Sequence, residues 1–550
     1  MKRGGLLQKR YLWTVLLGII YAGSFAPGPI NDDALPWLQF LILAGFVHLV
    51  WGASSLKQSL WTGIVFGWAG FTVGLYWLTI SMHVYGQMPI VLAILALMLF
   101  TAYLALFPAL AAGLAHWLKI SPRPSEYALS PLAIVMQAST WASAWTLAEW
   151  LRGTLFTGFP WLNTAYGQTS GWLAGWSIVG GAYGTTFVTA WICGAVAATL
   201  AAEAQQNKIA FTPKRGVAVV IAIVLVFIGA SLGQTTFTQP QGESLTVRLV
   251  QGNIDQGTKF DEALFDQAMD HHISLAGHRP ESSDRANPIK PTGPASITPN
   301  LILLPETVIN RFAQQVDPSI WRQWVNLADR DHATILMGVP LFDAVNREYT
   351  NSVISVEPGQ AWQPLAAGDP KHRYDKQHLV PFGEFVPWGF RWFVDLMQIP
   401  LGDFTRGQTD QSSFTVNQQR VAANICYEDV FGHELIPAVR QGATILANFS
   451  NLGWFGDSVA LRQHWQMARF RAIETQRPVL RSTNTGMTGA INEFGQTIAI
   501  LPAMVAGYLD VQIQGRTGLT PYVRWGDYPV LLLACVILIL ALLGRRRRQP

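Results

Sequence analysis

The chain has 550 residues, half of them hydrophobic and only 13% charged, with 22 tryptophans. That is too apolar and too long for one ordinary soluble domain, and it reads as a membrane protein that also carries a globular part. The net charge of +4 is sorted into short loop clusters, which leaves no case for a nucleic-acid partner.

In chain order, apolar segments lie near 11–27, 34–52, 59–82, 88–118, 128–151, 171–202, 216–233 and 528–544. Each is long enough to be a candidate for crossing a hydrocarbon layer of about 30 Å. The prediction is an α-helical membrane bundle of eight spans. Residues 1–233 hold seven of them, 234–527 form a domain outside the bilayer, and 528–550 hold the last span with its basic tail.

Lys2, Arg3, Lys9, Arg10, Lys57, Lys119, Arg123, Lys208, Lys214, Arg215 and Arg545–Arg548 all fall on one side of this arrangement. The positive-inside rule then puts both termini in the cytoplasm and 234–527 on the opposite face. The first 27 residues have the outline of a signal peptide, ending in YAGSFAP. Cleavage there would strand the terminal arginines on the wrong side, so an uncleaved anchor is expected. In AEWLRG, Glu149 and Arg152 stand at the outer end of the fifth span, as a structural pair or as a contact for a phospholipid headgroup. His48, His83 and His116 lie near span ends without metal-ligand spacing, and no metal site is expected.

In the polar region, 244–251, 300–305, 333–339, 350–356, 421–427 and 443–449 read as short strands, several apolar throughout. Segments 260–278, 319–331, 432–442 and 458–477 read as helices, which together argue an α/β domain. The Pro- and Ser-rich stretch 279–299 reads as a flexible insertion. The aromatic stretch 385–404, which includes Trp388, reads as a core helix or as an amphipathic arm at a membrane surface. Cys193 and Cys535 fall inside spans, which leaves Cys426 as the one thiol of the polar domain and no disulfide framework.

Four motifs there combine charge with strand ends: LLPETVI with Glu306, YDKQHLVPFGEFVP with Lys376 and Glu384, ICYEDV with Cys426, and NFSNLGWFGDS at 448–458. Singly, each has a bland reading as a loop acid, a surface lysine, a small buried hydrophobe or a helix cap. His464 and Trp465 read as helix packing.

Taken together, LPE, YDK and ICYE in this order resemble the Glu-Lys-Cys signatures of the nitrilase superfamily, over about 245–515. With the spans, the basic tail and the further stretches VQGN, GFPWL, PFGEFVP and STNTG, the whole chain resembles the apolipoprotein N-acyltransferase family. One departure is Phe260 after Lys259, where that family usually has tryptophan.

The resemblance implies an extracytoplasmic nitrilase-like αββα sandwich and no cofactor. It implies Glu306 as general base, Cys426 as nucleophile and Lys376 as oxyanion partner. Glu384 and Glu428 would be supporting acids, Tyr427 would pack beside the nucleophile, and Phe260 and Trp388 would supply aromatic walls. The implied donor is a membrane phospholipid, with phosphatidylethanolamine expected, and the implied acceptor is a diacylated apolipoprotein. The implied setting is the bilayer of a bacterial inner membrane, and the enzyme is expected to be a monomer. Two rivals are a membrane-anchored amidase or nitrilase hydrolysing a C–N bond with the same residues, and a transporter or receptor. Span interiors almost free of ionisable residues argue against the second.

Overall fold

The computed structural model describes residues 2–28, 33–120, 130–204, 213–278, 298–387, 389, 391 and 404–546. The stretch 279–299 falls almost entirely outside these residues, as do Trp388 and most of the aromatic stretch it belongs to. The chain divides into two units.

The first unit is helical and comprises Met1–Thr79, Pro89–Thr235 and Arg524–Pro550. Its long helices are Lys2–Ala22, Pro36–Trp51, Leu56–Gly74, Ile90–Trp117, Pro131–Arg152, Ser177–Ala204, Pro213–Leu232 and Tyr528–Arg546, one on each apolar segment. Among the described residues, Ile90–Trp117, Ala174–Thr199 and Tyr528–Arg546 are long and apolar enough to cross a membrane, and a fourth span results if Leu56–Gly74 is joined to Leu78–Tyr85. Small residues set the helix packing: a Cβ at Gly67 would lie 3.0 Å from the Cα of Ala105 on the neighbouring helix.

Glu149 and Arg152 are buried in this unit. Glu149 accepts hydrogen bonds from the Thr164 N–H at 3.1 Å, the Thr164 hydroxyl at 2.9 Å and the Thr186 hydroxyl at 3.2 Å. Arg152 donates to the carbonyls of Phe159 at 2.6 Å and Trp161 at 2.7 Å and lies 3.7 Å from Glu149. The pair thus stitches the GFPWL segment to its helix.

The second unit contains Thr236–Val523 and also Ile80–Met88, the junction between the third and fourth predicted spans. That short segment belongs here because Tyr85 meets Trp454 edge-on at 5.9 Å and a Cβ at Gly456 would touch Ile80.

Two six-stranded sheets form the centre of this unit. The first runs in the spatial order Gly507–Ile513, Leu245–Gln251, Leu301–Leu303, Thr334–Asp343, Glu348–Val356, Arg373–Asp375. The second runs Thr497–Ile500, Gly489–Ile491, Val479–Thr483, Ile445–Ser450, Gln419–Ile425, Phe414–Val416. In each sheet three parallel strands are flanked by antiparallel ones.

Alternation within strands assigns the layers. Val247, Leu249, Leu301 and Leu303 join Val421, Ala423, Ile425, Ile445 and Ala447 in one cluster between the sheets. Ile302 and Leu304 instead pack with Trp321, Trp324 and Met269 of the helices Pro318–Asp331 and Phe265–Ala276. Ala422 and Leu446 pack with Leu435, Trp465 and Ala468 of Gly432–Arg440 and Val459–Thr475. The result is an αββα sandwich, in which strands buried on both faces read as continuous apolar runs.

The six predicted strands and four predicted helices of this region are all present. Short strands such as Arg373–Asp375 and Phe414–Val416 were not anticipated, because three-residue strands carry too little periodicity; the longer Val479–Thr483 and Gly507–Ile513 were missed as well.

Gly338 shows how closely the site-bearing backbone is packed. A Cβ there would lie 2.6 Å from the Cα of Glu306 and would also collide with the Thr307 N–H. Gly338→Ala is therefore expected to cost about 1–3 kcal/mol through overpacking and to move Glu306. A lower Tm with reduced activity supports this; an unchanged Tm and rate would refute it.

Candidate active site

Glu306 follows the buried strand Leu301–Leu303 after Leu304 and Pro305, and the next residue, Thr307, turns the chain with a φ of 53°. The side chain is almost fully buried. Its Oε1 accepts from the Asn351 amide at 2.7 Å, and its Oε2 accepts from the Asn451 N–H at 2.8 Å.

Lys376 comes directly after the strand Arg373–Asp375, where its own N–H bonds the Asn351 carbonyl at 2.8 Å. Its ammonium is 1% exposed and lies 2.9 Å from Glu384 and 3.5 Å from Glu306. Burial by itself disfavours this charge, but Glu384 and Glu306 outweigh it and hold the lysine above its ordinary pKa. Lys376 is thus an ammonium throughout the physiological range.

Glu384 also accepts from the Asn351 amide at 2.9 Å and from the Val380 N–H at 2.9 Å. One asparagine therefore bridges both carboxylates that flank the lysine. The sequence reading passed over Asn351; the available signal was an amide inside an otherwise β-prone strand, EYTNSVISV.

Cys426 stands at the end of Gln419–Ile425, in the other sheet. The strand was expected to continue to 427, but it stops at Ile425 because Cys426 adopts a φ of 53° and opens the tight turn Cys426–Val430. A left-handed conformation costs a non-glycine residue about 1–2 kcal/mol, and such strain tends to collect at reactive positions. The half-buried thiol is pushed up by burial and then by Glu306, while Lys376 acts in the opposite direction. A thiol of this kind rests protonated and needs a base to remove its proton during attack.

Glu428 is fully buried and acts as a backbone clamp. Its carboxylate accepts from the N–H groups of Gln377 at 2.6 Å, His378 at 3.0 Å and Ile425 at 2.6 Å, and from the Tyr374 hydroxyl at 2.9 Å. It therefore ties the residues after Lys376 to the residue before Cys426. Burial raises it to about 7, against the opposing pull of the Ile425 and His378 N–H groups.

Tyr427 packs edge-on against Phe431, 5.0 Å between ring centres, and against His378 at 5.7 Å. Phe260 is 55% exposed, whereas its neighbour Lys259 is buried and donates to the Glu306 carbonyl at 3.3 Å. Burial lowers Lys259 to about 8, with Glu306 pulling the other way. His464, expected only to pack, is buried in a charged cluster with Asp429 and Arg481. Among the described residues no group of His, Cys, Asp and Glu could hold a metal ion.

Residues 17–195 match the family model described as apolipoprotein N-acyltransferase N-terminal domain, and residues 246–522 match that of carbon-nitrogen hydrolase. The chain is similar to the apolipoprotein N-acyltransferase of Bordetella bronchiseptica, with 44% identity over 97% of this chain and 96% of that one. It is 42% identical to the apolipoprotein N-acyltransferase of Ralstonia nicotianae, covering 97% and 93% of the two chains. Its identity with that of Neisseria meningitidis serogroup B is 33%, over 96% of each.

The Glu428 clamp makes a pH-dependent prediction. Because its folded value is raised from 4.5 to about 7, the protonated form is favoured in the folded chain. That contribution to stability is present below about pH 4.5 and is lost as pH rises through about 7. Glu428→Gln removes the ionisation, so its Tm relative to the parent should rise between these limits. A Tm difference independent of pH would refute the assignment.

Proposed function

The chain belongs to the apolipoprotein N-acyltransferase family, and from that premise we propose that Glu306, Lys376 and Cys426 move an acyl chain from a phospholipid to the N-terminal amine of a diacylated apolipoprotein through a thioester. The observation that carries this reading is the pairing of the buried Lys376 ammonium with Glu306, in a loop that Glu428 ties to the strand ending at the left-handed Cys426.

In the first half-reaction Cys426 attacks the ester carbonyl while Glu306 takes the thiol proton. The tetrahedral oxyanion forms beside the Lys376 ammonium; one oxyanion donor is typically worth about 3 kcal/mol of barrier. Collapse breaks the ester C–O bond, and Glu306 returns the proton to the departing lysophospholipid oxygen. In the second half-reaction the acceptor amine attacks the thioester and Glu306 takes its proton. The C–S bond then breaks, and the proton returns to Cys426.

Water competes with the amine for the thioester, so the site has to keep bulk water out between the two half-reactions. Eight spans in a bacterial inner membrane, with both termini cytoplasmic and the sandwich on the periplasmic side, fit the positive-inside count and bring both lipid substrates within reach. Phosphatidylethanolamine is the proposed donor, and the chain is proposed to act as a monomer without a cofactor.

The full-length protein incubated with phospholipid alone should gain one acyl mass on Cys426, labile to hydroxylamine. Cys426→Ala should abolish the adduct, and Glu306→Gln should abolish both adduct and turnover. Acylation of a diacylated lipopeptide with no adduct under any condition would sink the thioester route. C–N hydrolysis with no lipopeptide acylation would favour the amidase reading.

A further inference from the structure

The second sheet carries a row of polar side chains that the chemistry above does not use. Asn424, Asn448 and Arg481 stand opposite one another on three neighbouring strands. They share the face on which Ala422, Leu446 and Val479 pack against helices, and all three are buried. A buried polar row in an apolar layer destabilises unless every member is satisfied. Here most of the row's donors are used in a way that leads to Cys426, while the buried Arg481 Nε has no hydrogen-bond partner.

Asn448 donates to the Asn424 side chain at 2.6 Å and to the Cys426 carbonyl at 3.1 Å. Arg481 is paired through Nη1 with Asp429, and its Nη2 lies 3.0 Å from Nδ1 of His464. Asp429 Oδ1 lies 2.5 Å from His464 Nε2.

Arginine has only donors, so His464 must present a lone pair at Nδ1 and carry its proton on Nε2, directed at Asp429. His464 belongs to the helix Val459–Thr475, which packs on the turn Cys426–Val430, and Arg471 of that helix donates to the Val430 carbonyl at 3.2 Å. The turn is thus gripped at its first, fourth and fifth residues.

We propose that Asp429, His464 and Arg481 are positioning residues for the nucleophile, holding the turn that follows Cys426 so that the thiol is presented in its attacking geometry. The network also pairs the Asp429 charge, which unpaired would oppose formation of a thiolate beside it. The proposal rests on Cys426 being the nucleophile of the reaction above.

The test uses full-length protein in phospholipid nanodiscs, with two readouts. One is the single-turnover rate of thioester formation; the other is the rate of Cys426 alkylation by iodoacetamide, read by peptide mass. His464→Ala should lower the acylation kcat about 10²-fold with KM for phospholipid unchanged, and should slow alkylation. His464→Gln, whose amide keeps an N–H near the place of Nε2, should recover most of both rates. If His464→Ala does not fold, Asp429→Asn, of the same shape, should show the same kcat loss.

Wild-type rates in His464→Ala or Asp429→Asn would overturn the proposal. So would equal losses in folded His464→Gln and His464→Ala, or a loss confined to KM. A wild-type chain that forms no thioester would refute the acyl-enzyme route alone, because the alkylation rates still report on positioning.

Discussion

The site is organised by one electrostatic requirement: a fully buried ammonium at Lys376 has to be neutralised. Glu384 does so at 2.9 Å and Glu306 at 3.5 Å, and Asn351 holds the two carboxylates in place with a single amide. The two acids would repel each other without the lysine, and the lysine would be driven neutral without them. The strand ends that carry these residues are therefore locked together, and Gly338 is required because a side chain there would displace the Glu306 backbone.

The same accounting explains the acids beside the thiol in ICYED. Neither Glu428 nor Asp429 is left facing Cys426 as a bare charge. Glu428 is spent on four donors that tie the Lys376 loop to the cysteine strand, and Asp429 on His464 and Arg481. The thiol stays protonated at rest, which suits the proposed attack, in which its proton passes to Glu306. A permanent thiolate beside two carboxylates would be far more costly to hold in this burial.

Much of the sandwich was legible in the sequence because its central strands are buried on both faces. Segments such as LILLP and ATILANF then read as apolar runs with charge just past their ends. What escaped were interactions between polar residues far apart in the chain. Asn351 is one amide in a strand of Thr, Ser and Val, and nothing local says that it faces Glu306 and Glu384. His464 and Arg481 look like ordinary helix and strand residues until the fold sets them against Asp429.

By itself the sequence determined the eight apolar segments, the α/β character of the polar region, its single cysteine and the charged motifs at its strand ends. These are properties of local composition and order, which hydrophobic patterning writes directly into the chain. Only the tertiary structure decided that Cys426 takes a left-handed turn instead of extending its strand. It also assigned Ile80–Met88 to the sandwich unit and made Glu428 a backbone clamp. Each of these depends on groups distant in sequence meeting in a buried, low-dielectric place, where an unmet hydrogen bond or charge is too costly to leave.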